Sequence, residues 1–330
     1  MVLHARSPVR FDLAGGWTDV AWACQHVPGR VVNVALSLYA YATVASLEGK
    51  GEGIEVVSPD HIRVWNSDEE GDTSNLLVAA AKHFKCDGIE LSVRVDVPQG
   101  SGLGTSGALG VAVVGAFEEY VGHSPSREMI AERACFIEQH EMGILAGKQD
   151  QYVSAFGGFQ SQTFKGEHVN PLGLYVPKRV ILGLEKRLVL CYTGQFRLSG
   201  KIHAEVQKAF QEGNLETMDA LIGLRAVGKR MAYALCNEDW KAFGESLAFN
   251  WTAQKRLHSA ITNDQIEALF NAASDAGAIS GKLGGAGGGG CALFFCEEGR
   301  ESAVRQVLRK AGAEIIPFVF DREGLVTWRA

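Results

Sequence analysis

Residues Pro98–Gly107, PQGSGLGTSG, sit between a strand pattern and a helix pattern, and few chemistries need that arrangement. Before the run, Glu90–Val97 (ELSVRVDV) alternates polar and apolar residues, as a half-buried strand does. After it, Ala108–Val121 is a stretch of small and apolar residues of helical length. Glycine at 100, 102 and 104 lets the main chain approach an anion closely and turn several N–H groups toward it. The helix that follows adds the partial positive charge of its N-terminus. A plain tight turn tolerates one or two glycines, not three interleaved with Ser101, Thr105 and Ser106. No Gly-Lys-Ser/Thr follows, so this is not a Walker A loop. Nor does it have the spacing, or the place on a first βα turn, of a dinucleotide fingerprint. The expectation is a phosphate cradle.

Bulk properties narrow the field further. At 330 residues the chain is long enough for two domains. The soft boundary falls near 165–185, giving domains 1–175 and 176–330. A net charge of -6 and the lack of any Lys/Arg run argue against a nucleic-acid-gripping surface, which needs a basic face. A small anionic ligand needs only a local pocket. MVLHARSPVRF lacks the apolar core of a signal peptide, and no stretch approaches 18 uninterrupted apolar residues, so no membrane partner and a cytoplasmic location are expected. Cys24, Cys86, Cys135, Cys191, Cys236, Cys291 and Cys296 are scattered with no CxxC, which reads as reduced thiols rather than zinc ligands.

Strand material is expected at Val31–Leu47, Leu188–Thr193, Cys291–Cys296 and Ile315–Val319. Ser124-Pro125 predicts an N-cap and first-turn proline for a helix running to about Met142. From Lys201 the texture turns helical, with helices expected at 201–212, about 215–236, about 238–258 and 264–275, and a last one at Arg300–Ala311. Asn214, Asn237 and Asn263 fall between them as turn or cap residues. A second glycine run, Gly284–Gly290 (GGAGGGG), leads directly into the buried-strand pattern CALFF. That context suits main chain packed against another loop or a ligand better than a linker.

These two runs, with Ser7–Val20 (SPVRFDLAGGWTDV), resemble the three signature motifs of the GHMP kinases, in family order and over nearly the whole chain. Gly147–Tyr152 (GKQDQY) resembles the catalytic-aspartate segment of the family's sugar-specific branch. The resemblance implies an α+β fold of two domains, the first like ribosomal protein S5 domain 2 and the second ferredoxin-like. It implies an ATP-dependent kinase that also uses Mg2+.

Carried over residue by residue, the resemblance assigns the ATP phosphates to Gly100, Ser101, Gly102, Leu103, Gly104, Thr105 and Ser106. Asn75 is placed near the adenine, and Gly285, Gly287 and Gly288 support the phosphate loop. Ser106 and Glu138 correspond to the metal-contacting pair; Glu138 precedes Asp150 by 12 residues, and Glu141 is the fallback. Asp150 corresponds to the aspartate that receives or polarises the proton of the attacking hydroxyl. Arg10 corresponds to the arginine that keeps it ionised, and Lys148 is a candidate second cation. The acceptor is assigned to Asp19, Gly16, Gly194, Arg197 and Trp17, the last as a stacking surface.

The acceptor implied is a small-molecule sugar or sugar phosphate. Gly-Gly-Trp-Thr-Asp at 15–19 departs from the galactokinase form and is shared with fucokinases, whereas AGG-x-TD, GSGLGTS, GKQDQY and the compact length resemble the heptose-phosphate kinases. Both phosphorylate the anomeric C1 hydroxyl, and a heptose 7-phosphate is the narrower expectation, with L-fucose the alternative. Arg30, Arg197, Lys201, Arg225 and Lys229 are candidates for a second phosphate pocket. A homodimer is compatible with the sequence. Two rivals of other kinds are disfavoured: a catalytically silent sugar and ATP sensor by Arg10, Ser106, Glu138 and Asp150, and a decarboxylase on the same loops by the GKQDQY segment.

Overall fold

The computed structural model describes residues 1–47, 53–57, 62–65, 76–98, 100–144, 146–195 and 199–330. Strand β1 (Val2–Ala14) alternates between buried and half-buried at its start and is buried on both faces from Ser7 onward. That change marks where the sheet passes from one covered face to two. β1 pairs antiparallel with the long β2 (Gly29–Ser46) over almost its whole length. Around this pair stand β3 (Ile54–Val57), β4 (Ile62–Trp65), β5 (Ile89–Val95), β6 (Phe159–Lys165) and β7 (His168–Gly173). β5 pairs with the second half of β2 and β6 with its first half, and β3 runs parallel to β5. The second sheet is antiparallel, in the order β11 (Glu314–Ile316), β8 (Leu188–Tyr192), β10 (Cys291–Cys296), β9 (Ala278–Leu283).

The last strand, β12 (Val326–Arg329), leaves the second half of the chain and pairs with β1 at the edge of the first sheet. Trp328 there stacks on His4, with ring centroids 5.3 Å apart. The lobes therefore follow 2–173 and 188–316 by their sheets, and the C-terminus belongs to the first.

In the first lobe α1 (Ala21–Cys24), α2 (Leu76–His83), α3 (Thr105–Tyr120), α4 (Arg127–Phe136) and α5 (Gln149–Phe156) pack with the sheet. The second adds α6 (Lys178–Arg187), α7 (Ser199–Gln211), α8 (Leu215–Asn237), α9 (Trp240–Lys255), α10 (Asp264–Asp275) and α11 (Glu301–Lys310). Side-chain caps fix several starts. Asn214, Asp239 and Asn263 accept from the backbone N–H three residues on, at 3.0, 2.9 and 3.0 Å. The cap of α4 is Ser126, accepting from Met129 N, so Pro125 lies outside the helix rather than in its first turn.

One core lies between α2, α3, α4 and the first sheet, and another fills the second lobe, where Trp17, Val20 and Ala23 of the first lobe join it. A third is shared: Val9, Phe11, Val32 and Val34 from the first sheet meet Leu184, Met231, Leu247 and Leu293 from the second lobe. The two lobes are thus joined by a continuous buried apolar core. No helix among the described residues is long and apolar enough to cross a membrane. Cys24, Cys135, Cys191, Cys291 and Cys296 are buried free thiols.

Candidate active site

The glycine run closes the gap between β5 and α3. Gly100, Gly102 and Gly104 all hold positive φ, at 73°, 74° and 71°, which explains the glycine at each. Ser101 and Leu103 turn inward and are buried. Ser101 Oγ lies 3.0 Å from Thr105 Oγ1, and Leu103 joins the shared core. These residues thus serve the loop through their main chain, and the exposed hydroxyl is Ser106.

The second glycine loop locks the first in place. A Cβ on Gly102 would stand 2.6 Å from Gly284 O, and one on Gly290 would stand 2.6 Å from Ser101 O. Cys291 N donates to Ser101 O at 2.7 Å. Gly285, Gly287 and Gly288 hold positive φ, and Gly288 N donates to Ile261 O at 2.7 Å. Thr193 donates to Gly290 O through both its N–H and its hydroxyl. The turn at Thr193-Gly194 therefore braces this loop, and a Cβ on Gly194 would lie 3.8 Å from Gly312 O. Asn75 and Arg197 lie outside the described residues.

Across the cradle, β1 presents Arg10, whose main-chain N–H donates to Leu103 O at 2.8 Å. The guanidinium donates to Asp150 Oδ1 through Nε at 2.7 Å and to Gly102 O through Nη1 at 2.7 Å. Nη2 is also 2.7 Å from Asp150 Oδ1. Burial opposes the charge on Arg10, but the carboxylates of Asp150, Asp12 and Asp19 outweigh it and raise its pKa. Asp150 stands in the first turn of α5, packed on the helix that carries the cradle; a Cβ on Gly107 would fall 2.5 Å from Asp150 Cβ.

The metal-type pair also meets. Ser106 Oγ donates to Glu138 Oε1 at 2.7 Å, and Gln151 donates to Glu138 Oε2. Glu138 lies in a π-helical turn, Ile137–Glu141, that continues α4. The turn is closed by Met142 N donating to Ile137 O, and π-turns of this kind recur where a side chain must be re-aimed at a site. Glu141 points elsewhere, pairing with His83 at 2.7 Å. Burial, and then the nearby Asp150, push the Glu138 carboxyl up to about 7 despite the hydrogen bonds from Ser106 and Gln151. Two hard oxygens in a buried acidic setting suit a divalent cation that keeps water and phosphate as its other ligands. Among the described residues no cluster of three His, Cys, Asp or Glu could hold a metal alone.

Asp19 faces the same space. Gln149 donates to it from the main chain (3.3 Å) and the side chain (3.2 Å), and a Cβ on Gly147 would collide with its carboxylate. Burial and the charge of Asp150 raise its pKa to about 6. Gly16 is required because a Cβ there would reach 2.4 Å from Asp12 Oδ2. Trp17 is buried, its ring against His203 rather than open to a ligand. Lys148 is tied to Glu167, to both its carboxylate and its carbonyl, and is not a free second cation.

The sequence reading missed the braces. Asp12 and Lys282 form a buried ion pair at 2.6 Å between β1 and β9, and Gly285 N donates to Asp12 Oδ1. Asn250 on α9 accepts from Gly15 N, and Gln254, one turn on, donates to Gly285 O. The local signal was charge inside apolar strands, Arg10 and Asp12 in VRFDLA and Lys282 in AISGKL.

A glycine loop facing an arginine-held aspartate, beside an oxygen pair fit for a divalent cation, is an arrangement suited to ATP-dependent phosphotransfer. Residues 75–158 match the family described as GHMP kinases N terminal domain, and residues 231–314 match GHMP kinases C terminal. The chain is 32% identical over 342 aligned positions, covering 99% of each chain, to a D-glycero-alpha-D-manno-heptose 7-phosphate kinase of Campylobacter jejuni. The chain belongs to the GHMP kinases. It is also similar to an L-fucokinase/L-fucose-1-P guanylyltransferase of Bacteroides fragilis, 27% identical over 96% of this chain and 36% of that longer one. Among solved structures it is similar to a D-glycero-D-manno-heptose 1-phosphate kinase from Bacteroides thetaiotaomicron, with a TM-score of 0.81, 25% identity and 99% of each chain covered.

Proposed function

We propose that this kinase phosphorylates the anomeric C1 hydroxyl of a sugar, and that the sugar is a D-glycero-D-manno-heptose 7-phosphate. The observation that carries the kinase chemistry is the Arg10–Asp150 pair set against the cradle. Arg10 fixes the Asp150 carboxylate in place, so it can orient the acceptor hydroxyl and take its proton as the phosphoryl group departs from ATP. Glu138 and Ser106 would hold Mg2+, which supplies charge neutralisation on the phosphates. Asp19 and Gly16 line the acceptor side.

A phosphorylated acceptor is favoured by two cations. Arg30 and Arg225 have no acidic partner within ion-pair distance among the described residues. Arg30 N donates to Thr18 Oγ1 at 3.0 Å, beside Asp19, and its side chain packs at Gly228 on α8. Arg225, one turn earlier on that helix, donates to Ala23 O, and its Nε is buried with no described partner. A guanidinium with spare donors suits a phosphate better than a neutral 6-deoxy sugar does. The similarity to the Campylobacter jejuni kinase supports the same choice.

ATP consumption across free sugars and sugar phosphates tests this reading, with phosphorus NMR locating the new phosphate. Turnover of the heptose 7-phosphate to a 1,7-bisphosphate is the expected outcome. Faster turnover of L-fucose selects the alternative, and tight ATP binding with no turnover of any sugar overturns the reading altogether. The raised pKa of Asp19 adds a pH signature. At saturating Mg2+ and ATP, kcat/KM for the sugar falls as pH drops below about 6, where protonated Asp19 no longer accepts a hydroxyl hydrogen. Asp19→Asn has a lower but flat profile across that limb; persistence of the limb assigns it to another group.

A further inference from the structure

Helix α7 brings His203 against the loop that carries Asp19. Its ring lies on the Trp17 indole, with centroids 4.4 Å apart and planes inclined by 32°. Trp17 holds φ at 78°, a left-handed value that a bulky residue seldom adopts. The loop thus accepts a costly backbone geometry that sets the indole under the imidazole. Both rings carry a buried polar atom, Trp17 Nε1 and His203 Nδ1, and neither atom meets a hydrogen-bond partner among the described residues. Two unpaired buried polar atoms on stacked rings are poor design for a space-filling contact. The half-buried imidazole, not the indole beneath it, is the ring that a ligand hydroxyl can pair with.

The ring pair lies toward the acceptor side. Trp17 is two residues from Asp19, and the charge of Asp150 is felt at His203. We infer that His203 is a specificity-determining residue, its imidazole braced by Trp17 and hydrogen-bonded to one hydroxyl of the acceptor sugar. Burial drives the ring pKa down to about 4, against the opposing pull of Asp150, so the ring is neutral near pH 7. A neutral imidazole offers one donor and one acceptor. It therefore reads the placement of a hydroxyl and not a charge, which separates its role from that of Arg30 and Arg225.

This assignment rests on the sugar-kinase reading, and the test keeps the two apart. His203→Phe keeps a ring on Trp17 and removes both nitrogens; His203→Asn keeps a polar atom near the Nδ1 position. Each variant is assayed with the preferred acceptor and with analogues deoxygenated at single ring carbons. Wild type is expected to discriminate about ten-fold or more against one deoxy position. His203→Phe raises the acceptor KM about ten-fold, leaves the KM for ATP unchanged and loses discrimination at that one position. His203→Asn recovers part of both. Wild-type KM and discrimination in His203→Phe overturn the assignment while leaving the kinase reading intact. So does a fall in Tm with equal changes in both KM values, which marks a packing role. A wild-type enzyme that turns over no sugar removes the kinase reading and this assignment together.

Discussion

Asp150→Asn is expected to lower kcat by about 10²- to 10⁴-fold, while the affinity for ATP changes by no more than about two-fold. The side chains have nearly the same shape, so the close contact of Gly107 with Asp150 Cβ survives. An amide oxygen can still accept from Arg10 Nε and Nη2, and Arg10 Nη1 keeps its bond to Gly102 O, so the cradle is not disturbed. What is lost is a carboxylate able to take the acceptor proton. Steady-state kinetics for kcat and calorimetry for ATP separate the two effects. A kcat within ten-fold of wild type shows that Asp150 orients the hydroxyl without taking its proton, and a matching loss of ATP affinity shows that it braces the loop instead.

Lys282→Met is expected to destabilise the fold by about 3–5 kcal/mol, because it leaves a carboxylate buried without its counter-charge. Lys282 is 0% exposed, and its ammonium donates to Asp12 Oδ2 at 2.6 Å and to Asp12 O at 2.7 Å. It also lies 5.1 Å from the Phe11 ring centroid. Burial lowers the Lys282 pKa, and Asp12 offsets part of that shift. Such a loss is a large part of the ordinary 5–15 kcal/mol of a folded domain. Since Asp12 Oδ1 also receives Gly285 N, ATP affinity should weaken in the same variant. Urea unfolding measures the loss. The Asp12→Asn/Lys282→Met double variant should regain part of it, because no lone charge remains; a double variant that is less stable than Lys282→Met would show that the ion pair is not the cause.

These two positions differ in how visible they were. Asp150 stood in a recognisable segment, GKQDQY, and the cradle was legible because glycines at 100, 102 and 104 answer a local demand for positive φ. The C-terminal helices were legible for a similar reason. Asn214 and Asn263 cap within three residues of themselves, and the expected ranges agree closely with α8 at Leu215–Asn237 and α10 at Asp264–Asp275. Where two local signals competed, the reading slipped: Ser124-Pro125 looked like a helix start, but Ser126 made the capping bond. β12 gave almost no signal, since four residues, VTWR, become a strand only because β1 offers an open edge.

The glycine loop, the family and the polar residues from which a phosphotransfer site could be built were all legible along the chain. Local backbone geometry and short-range capping decide such features, and both act within a few residues. Which of those residues meet was settled by the packing of the two lobes. It chose Glu138 over Glu141 through a π-turn, bound Lys148 to Glu167, joined Asp12 to a lysine 270 residues away and laid His203 on Trp17. Those outcomes depend on the register of two sheets that share one core, and no local window of the chain contains that information.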